Sequence, residues 1–139
     1  LTLCYSLLRK RKMKKIKMGL ARDIEFRGYD PIAECWCIGL PLEDAYILGR
    51  WYIMCNYSDG IIVVPESIGQ YLGVKDKNGK KIYEGDIVRT DEAGWIACVV
   101  YSRDGFMCID SKGGFSAYDC HWENFEVIGN IHENPEIKP

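Results

Sequence analysis

At 139 residues with 47% hydrophobic side chains, the chain suits a single core-bearing domain and is too apolar to be disordered. Fourteen glycines and nine tyrosines favour short strands and tight turns over long helices. The net charge of −2 hides a split: residues 1–22 carry eight basic groups and no acid, leaving ten basic against twenty acidic groups, a net of −10.

The basic arm holds Arg9, Lys10, Arg11, Lys12, Lys14, Lys15, Lys17 and Arg22. A run of this kind contacts phosphate, whereas the acidic body as a whole repels a polyanion. Residues 1–22 show weak periodicity and are expected to be a disordered or solubilising extension. Leu1–Leu8 is too short to span a bilayer, and its charges follow the apolar run instead of preceding it. No membrane partner or secretory route is expected, and the chain is read as cytoplasmic, within a host cell. Met13 opens Met13-Lys14-Lys15-Ile16-Lys17, so translation is expected to begin at Met13 or Met18 instead of Leu1. The seven cysteines are odd in number and lie mostly in apolar runs, which reads as reduced, structural thiols.

In chain order, Asp23-Ile24-Glu25-Phe26-Arg27 alternates polar and apolar and reads as a strand. Gly28-Tyr29-Asp30-Pro31 has turn chemistry. Cys35–Leu40 reads as a strand and Pro41–Ala45 as a loop or a helical turn. Arg50–Cys55 is strand-like, Asn56–Gly60 a turn, and Ile61–Val64 a short β-branched run whose pairing Pro65 limits. Ser67–Gly73 is extended and punctuated by glycine. Asn78-Gly79 then supplies two residues tolerant of positive φ, a strong hairpin signal. Ile82-Tyr83 and Ile87-Val88-Arg89 flank Gly85, where a bulge or sharp bend is expected. Strands follow at Trp95–Tyr101, Phe106–Ile109, Phe115–Tyr118 and Phe125–Ile131, with turns at Asp104-Gly105 and Lys112-Gly113-Gly114. Asn134-Pro135 starts the terminal tail. Strands recurring about every ten residues from Ile82 onward suggest a small barrel or sandwich.

Three segments together carry a resemblance. The first is Ile24-Glu25-Phe26-Arg27-Gly28 with Trp36 and Gly39. The second runs from Val64-Pro65-Glu66-Ser67-Ile68-Gly69 through Lys75-Asp76-Lys77-Asn78-Gly79 to Glu84-Gly85-Asp86-Ile87-Val88. The third is Glu126–Glu136, with Gly129-Asn130-Ile131-His132-Glu133-Asn134-Pro135 inside it. Over about residues 23–136 the chain resembles the YopX family of phage and prophage proteins. The family usually has Thr-Gly-Leu where this chain has Leu72-Gly73-Val74, and Tyr where it has His132. The resemblance implies a mainly β, all-β fold: an N-terminal β segment over 23–65, then an SH3-like β-barrel over 66–136. It implies a phage or prophage accessory role and no particular activity, since fold analogy does not supply one.

Counted from Asp76, the sixth and twelfth positions are Lys81 and Ile87, so an EF-hand fails at both its glycine and its acid. Glu84 and Asp86 would face one side if both lay in a strand, which is the geometry a carboxylate pair needs. Turn and bulge capping explains them more simply. Cys35-x-Cys37 lacks zinc-knuckle spacing, and nothing in the spacing joins it to Cys120, His121 and His132. No catalytic residue, cofactor or metal ligand is assigned. Trp36, Trp51, Trp95 and Trp122 read as core or rim aromatics that would favour a protein partner over stacked bases. The expected role is a non-catalytic protein-interaction module with a host or phage partner, with self-association through strand edges. Alternatives are nucleic-acid binding through the basic arm, an acidic decoy of a host enzyme, and an enzyme using Glu84 and Asp86. The candidate interaction surface is the hairpin region at Asp76, Asn78, Gly79, Tyr83, Glu84 and Asp86.

Overall fold

A computed structural model of the protein describes residues 23–55, 60–90, 94–103, 105–111, 113–115 and 121–137. The basic arm, residues 56–59 of the expected turn Asn56–Gly60 and residues 116–118 of the expected strand Phe115–Tyr118 lie outside them. The described chain is mainly β, with two antiparallel sheets and no α-helix. The strands are β1 (Phe26–Asp30), β2 (Cys35–Glu43), β3 (Trp51–Met54), β4 (Ile61–Val63), β5 (Gly69–Lys75) and β6 (Lys81–Tyr83). They continue as β7 (Asp86–Arg89), β8 (Ile96–Ser102), β9 (Gly105–Asp110), β10 (Gly113–Phe115) and β11 (Glu126–Asn130). One sheet runs β4-β3-β2-β1-β5-β6 and the other β10-β9-β8-β7-β11.

The first four strands curl back on themselves. Their interior is Cys37, Ile53 and Val63, packed by Phe26, Trp51, Cys55, Ile61 and Ile68. Two glycines permit the curl. A Cβ on Gly28 would lie 2.8 Å from Ile53 Cγ1 and 2.9 Å from Val63 Cγ2, so β1 can lie flat on that core only without a side chain. A Cβ on Gly39 would lie 2.1 Å from the Met54 carbonyl oxygen, where β2 passes from pairing with β1 to pairing with β3. The Val64 amide then donates to the Tyr29 carbonyl at 2.9 Å, and the Ser67 hydroxyl accepts the Tyr29 amide at 2.7 Å. Both bonds tie the end of β4 back to β1.

The second core is Leu72, Ile82, Val88, Ala97, Val99 and Cys108, with Val74, Phe106, Trp122, Phe125 and Val127 packed around it. It lies between the β5–β6 hairpin and the second sheet. Because β5 also pairs with β1, both cores hang on one continuous sheet. The chain passes from β6 to β7 at Glu84-Gly85, where Gly85 takes a φ of 85°. That turn is stitched on both sides, since the Gly85 amide donates to Val99 and its carbonyl accepts from Ile131.

Several local expectations change; Gly113 and Gly114, expected in a turn, are strand and pair with Asp110 and Ile109. Gly28–Asp30 is strand, not turn, because these residues pair with Cys35–Cys37 and the reversal falls at residues 31–34. Pro41–Glu43 continues β2; beyond the end of β1 only β3 pairs there, so the missing proline amide is tolerated. The hairpin at Asn78-Gly79 is not a two-residue turn. Lys75 pairs with Lys81, the loop spans Asp76–Lys80, and only Gly79 takes positive φ, at 81°.

Candidate functional site

Where β1 of the first sheet meets β7 of the second, a cleft of about 410 Å³ opens, lined among others by Arg27, Trp36, Ile38, Tyr83, Asp86 and Asn130. Register builds its first wall. Arg27 pairs with Ile38 and Tyr29 with Trp36, which puts these four side chains on one face. The Trp36 ring covers the Arg27 guanidinium at 4.5 Å, and Tyr83 lies 4.8 Å from it. Arg27 Nη2 reaches Asp86 Oδ1 at 2.7 Å and the Glu84 carbonyl at 3.3 Å. Arg27 Nε is buried and has no hydrogen-bond partner among the described residues.

Asp86 is almost fully buried. Burial pushes its carboxyl above the usual range and outweighs the opposing pull of Arg27. Its second oxygen accepts the Tyr83 amide at 2.8 Å. The other wall is the turn after β11. Asn130 Oδ1 accepts the amides of His132 and Glu133, and Asn130 Nδ2 donates to Glu133 at 2.7 Å. Bonds from Asn130 and Trp36 hold the Glu133 carboxyl below its ordinary pKa. His132 packs on Trp36, and burial followed by the nearby Arg27 charge lowers its pKa.

The six nominated residues fall in different settings. Asp76 is buried and accepts amides from Asn78, Lys80 and, across to β11, Val127. Asn78 and Gly79 sit exposed at the loop tip. Tyr83 is buried; its hydroxyl donates to Glu25, and burial, reinforced by that carboxylate, pushes its pKa well up. Glu84 is half-buried in the turn ahead of β7, so strand alternation does not place it beside Asp86. Tyr83 and Asp86 therefore belong to the cleft, whereas Asn78 and Gly79 belong to the hairpin tip.

Three features escaped the sequence reading. The first is the pairing of Arg27 with Asp86. The second is an exposed apolar row on β2: Ile38, Leu40 and Leu42 are 49%, 56% and 53% exposed. Leu42 lies opposite Tyr52 of β3, and Tyr52 opposite Ile62 of β4, which is 47% exposed, so the row broadens across three strands. Alternation in Trp36-Cys37-Ile38-Gly39-Leu40-Pro41-Leu42 was its signal, since the large apolar residues occupy every second position. The third is a cluster of Asp30, Cys35 and Cys37, whose ligand atoms lie within 4.8 Å of one another. Cys35 is exposed, whereas Cys37 is buried. Of the other residues considered as metal ligands, His121 and His132 do not join this cluster. His121 faces Glu123, His132 packs on Trp36, and Cys120 lies outside the described residues.

No helix among the described residues is long and apolar enough to cross a membrane. The model of the YopX protein family matches residues 25–137. No curated protein matches the chain. The fold is similar to the crystal structure of protein EF1440 from Enterococcus faecalis, with a TM-score of 0.51 and 23% identity, covering 84% of this chain and 98% of that one. At that identity the likeness concerns the fold alone.

Proposed function

The chain belongs to the YopX family, and from that premise we propose that it is a non-catalytic phage or prophage accessory protein that docks a protein partner in the host cytoplasm. The observation that carries this reading is the apolar row Ile38, Leu40 and Leu42, which starts at the Arg27 cleft and runs out over β2. Exposed aliphatic side chains in a continuous row leave apolar surface in water, at roughly 25 cal/mol per Å², until a partner covers it. The cleft supplies the polar, aromatic end of such an interface, with Trp36 and the Arg27–Asp86 pair. We read the β5–β6 hairpin and the second sheet, packed around one core, as an SH3-like barrel that presents this face.

The test is affinity capture from nuclease-treated host lysate with the wild type and with Leu40→Glu and Leu42→Glu. The expected result is one host or phage protein held at near-equal amount by the wild type and lost from both variants, each folded as judged by circular dichroism. A partner retained equally by the variants overturns the assignment to this face. Binding that returns only when nuclease is omitted moves the function to nucleic acid and the basic arm.

A further inference from the structure

The β1–β2 hairpin gathers side chains of one chemical type at its open end. Asp30 pairs with Cys35 across the hairpin, and Cys37 follows two residues later on the same face. The ligand atoms of all three lie within 4.8 Å of one another. The Cys35 and Cys37 thiols therefore lie side by side, and Cys55 is near enough to act on Cys37 electrostatically. Asp30 is held for the purpose by its own turn, because Oδ1 accepts the amides of Ile32 at 2.8 Å and Ala33 at 3.1 Å. Those bonds engage only Oδ1.

We propose that Asp30, Cys35 and Cys37 form a binding site for a thiophilic divalent cation of the zinc class. Two thiolates and a carboxylate on a tight hairpin suit a soft or borderline ion and suit Ca²⁺ and Mg²⁺ poorly, since those prefer all-oxygen shells. The donors need to draw together only modestly, and three protein ligands leave a fourth tetrahedral position open. Thiolate ligation requires that the two thiol protons pass to solvent as the cation enters, and the ion's charge offsets the negative charge that develops. The site lies on the strand pair that also carries Trp36 and Ile38, so an ion there would brace the hairpin end beside the proposed docking face.

The experiment uses the full chain, reduced, stripped with chelator and kept anaerobic so that no disulfide consumes the thiols. Co²⁺ is titrated first as the optical probe and Zn²⁺ second as competitor. The expected result is a thiolate-to-cobalt charge-transfer band saturating at a single ion per chain and bleached by Zn²⁺. Cys35→Ser, at an exposed position, abolishes the band. Asp30→Asn keeps an oxygen for the turn amides yet weakens binding by at least the roughly 10-fold to 100-fold that loss of outer-shell partners costs. Cys98→Ser, in the other sheet, leaves the titration unchanged. A wild type without the band, or a band that survives in folded Cys35→Ser, overturns the proposal.

Discussion

Arg27 of β1 and Asp86 of β7 form a buried ion pair, 2.7 Å between Nη2 and Oδ1, that ties one sheet to the other. Their side chains are only 10% and 2% exposed, so neither charge has water to fall back on. Trp36 and Tyr83 close over the guanidinium, and the Tyr83 amide takes the second carboxylate oxygen. Removing either partner strands the other charge in a low-dielectric setting. Arg27→Ala and Asp86→Ala are each expected to cost about 3–5 kcal/mol in denaturant unfolding, and the double variant less than the sum of the two. Additive losses below about 1 kcal/mol each would show that the pair does not join the sheets.

This pair also marks the limit of what sequence can disclose. Trp51–Met54 and Ile96–Ser102 are legible as strands because β-branched and aromatic residues crowd them. Gly85 is legible as a bend because it falls between the strand-like runs Ile82-Tyr83 and Ile87-Val88-Arg89. Gly28 misleads, since Gly-Tyr-Asp-Pro looks like a turn whereas the glycine serves the close approach of Ile53 and Val63. Arg27 and Asp86 are distant in sequence and carry no local signal of contact. Asp76 was nominated for a surface, yet its carboxylate is spent on three amides. The Asp30–Cys35–Cys37 cluster fits no ligand-spacing motif, because hairpin register rather than linear spacing brings Asp30 to the thiols.

The two structural glycines are expected to differ from the glycine of the hairpin tip. Gly28→Ala and Gly39→Ala force a methyl against packed side chains or the Met54 carbonyl, an overpacking cost of about 1–3 kcal/mol or more. Gly39→Ala should be the worse, since backbone yields less readily than a side chain. Gly79→Ala meets nothing within 4 Å among the described residues and loses only through its φ of 81°, about 1 kcal/mol. Thermal unfolding of the three variants orders them, and a Gly79→Ala loss equal to that of Gly39→Ala would contradict the packing account.

Tyr83→Phe isolates a single hydrogen bond. Burial pushes the Glu25 carboxyl up, but the Tyr83 hydroxyl and Lys81, 2.9 Å away, together bring it below the ordinary value. The variant keeps the ring beside Arg27 and removes only the donor, so the Glu25 pKa is expected to rise and stability to fall by about 0.5–1.5 kcal/mol. Carboxyl carbon chemical shifts followed through an acid titration read the first effect directly. An unmoved Glu25 would mean that Lys81 alone holds it.

Asp76 gives the clearest dependence on pH. Burial raises its pKa, yet the amides of Val127, Lys80 and Asn78 outweigh burial and leave it below the ordinary 3.8. A folded pKa below the unfolded one means that the unfolded chain binds the proton more readily. The contribution of Asp76 is therefore complete above the unfolded value and drains away as pH falls through the depressed folded value. Asp76→Ala also leaves the Val127 amide without its acceptor and removes one tie of the hairpin to β11, an expected loss of about 2–4 kcal/mol at neutral pH. Asp76→Asn retains one oxygen for Asn78 and Lys80, so its loss should be smaller. Below the depressed pKa the wild-type carboxyl is itself neutral, and the wild type and Asp76→Asn should converge in stability. Urea unfolding of both proteins from neutral pH down into the acid limb tests this, and a gap that stays constant with pH would show that the carboxylate charge contributes nothing at the hairpin.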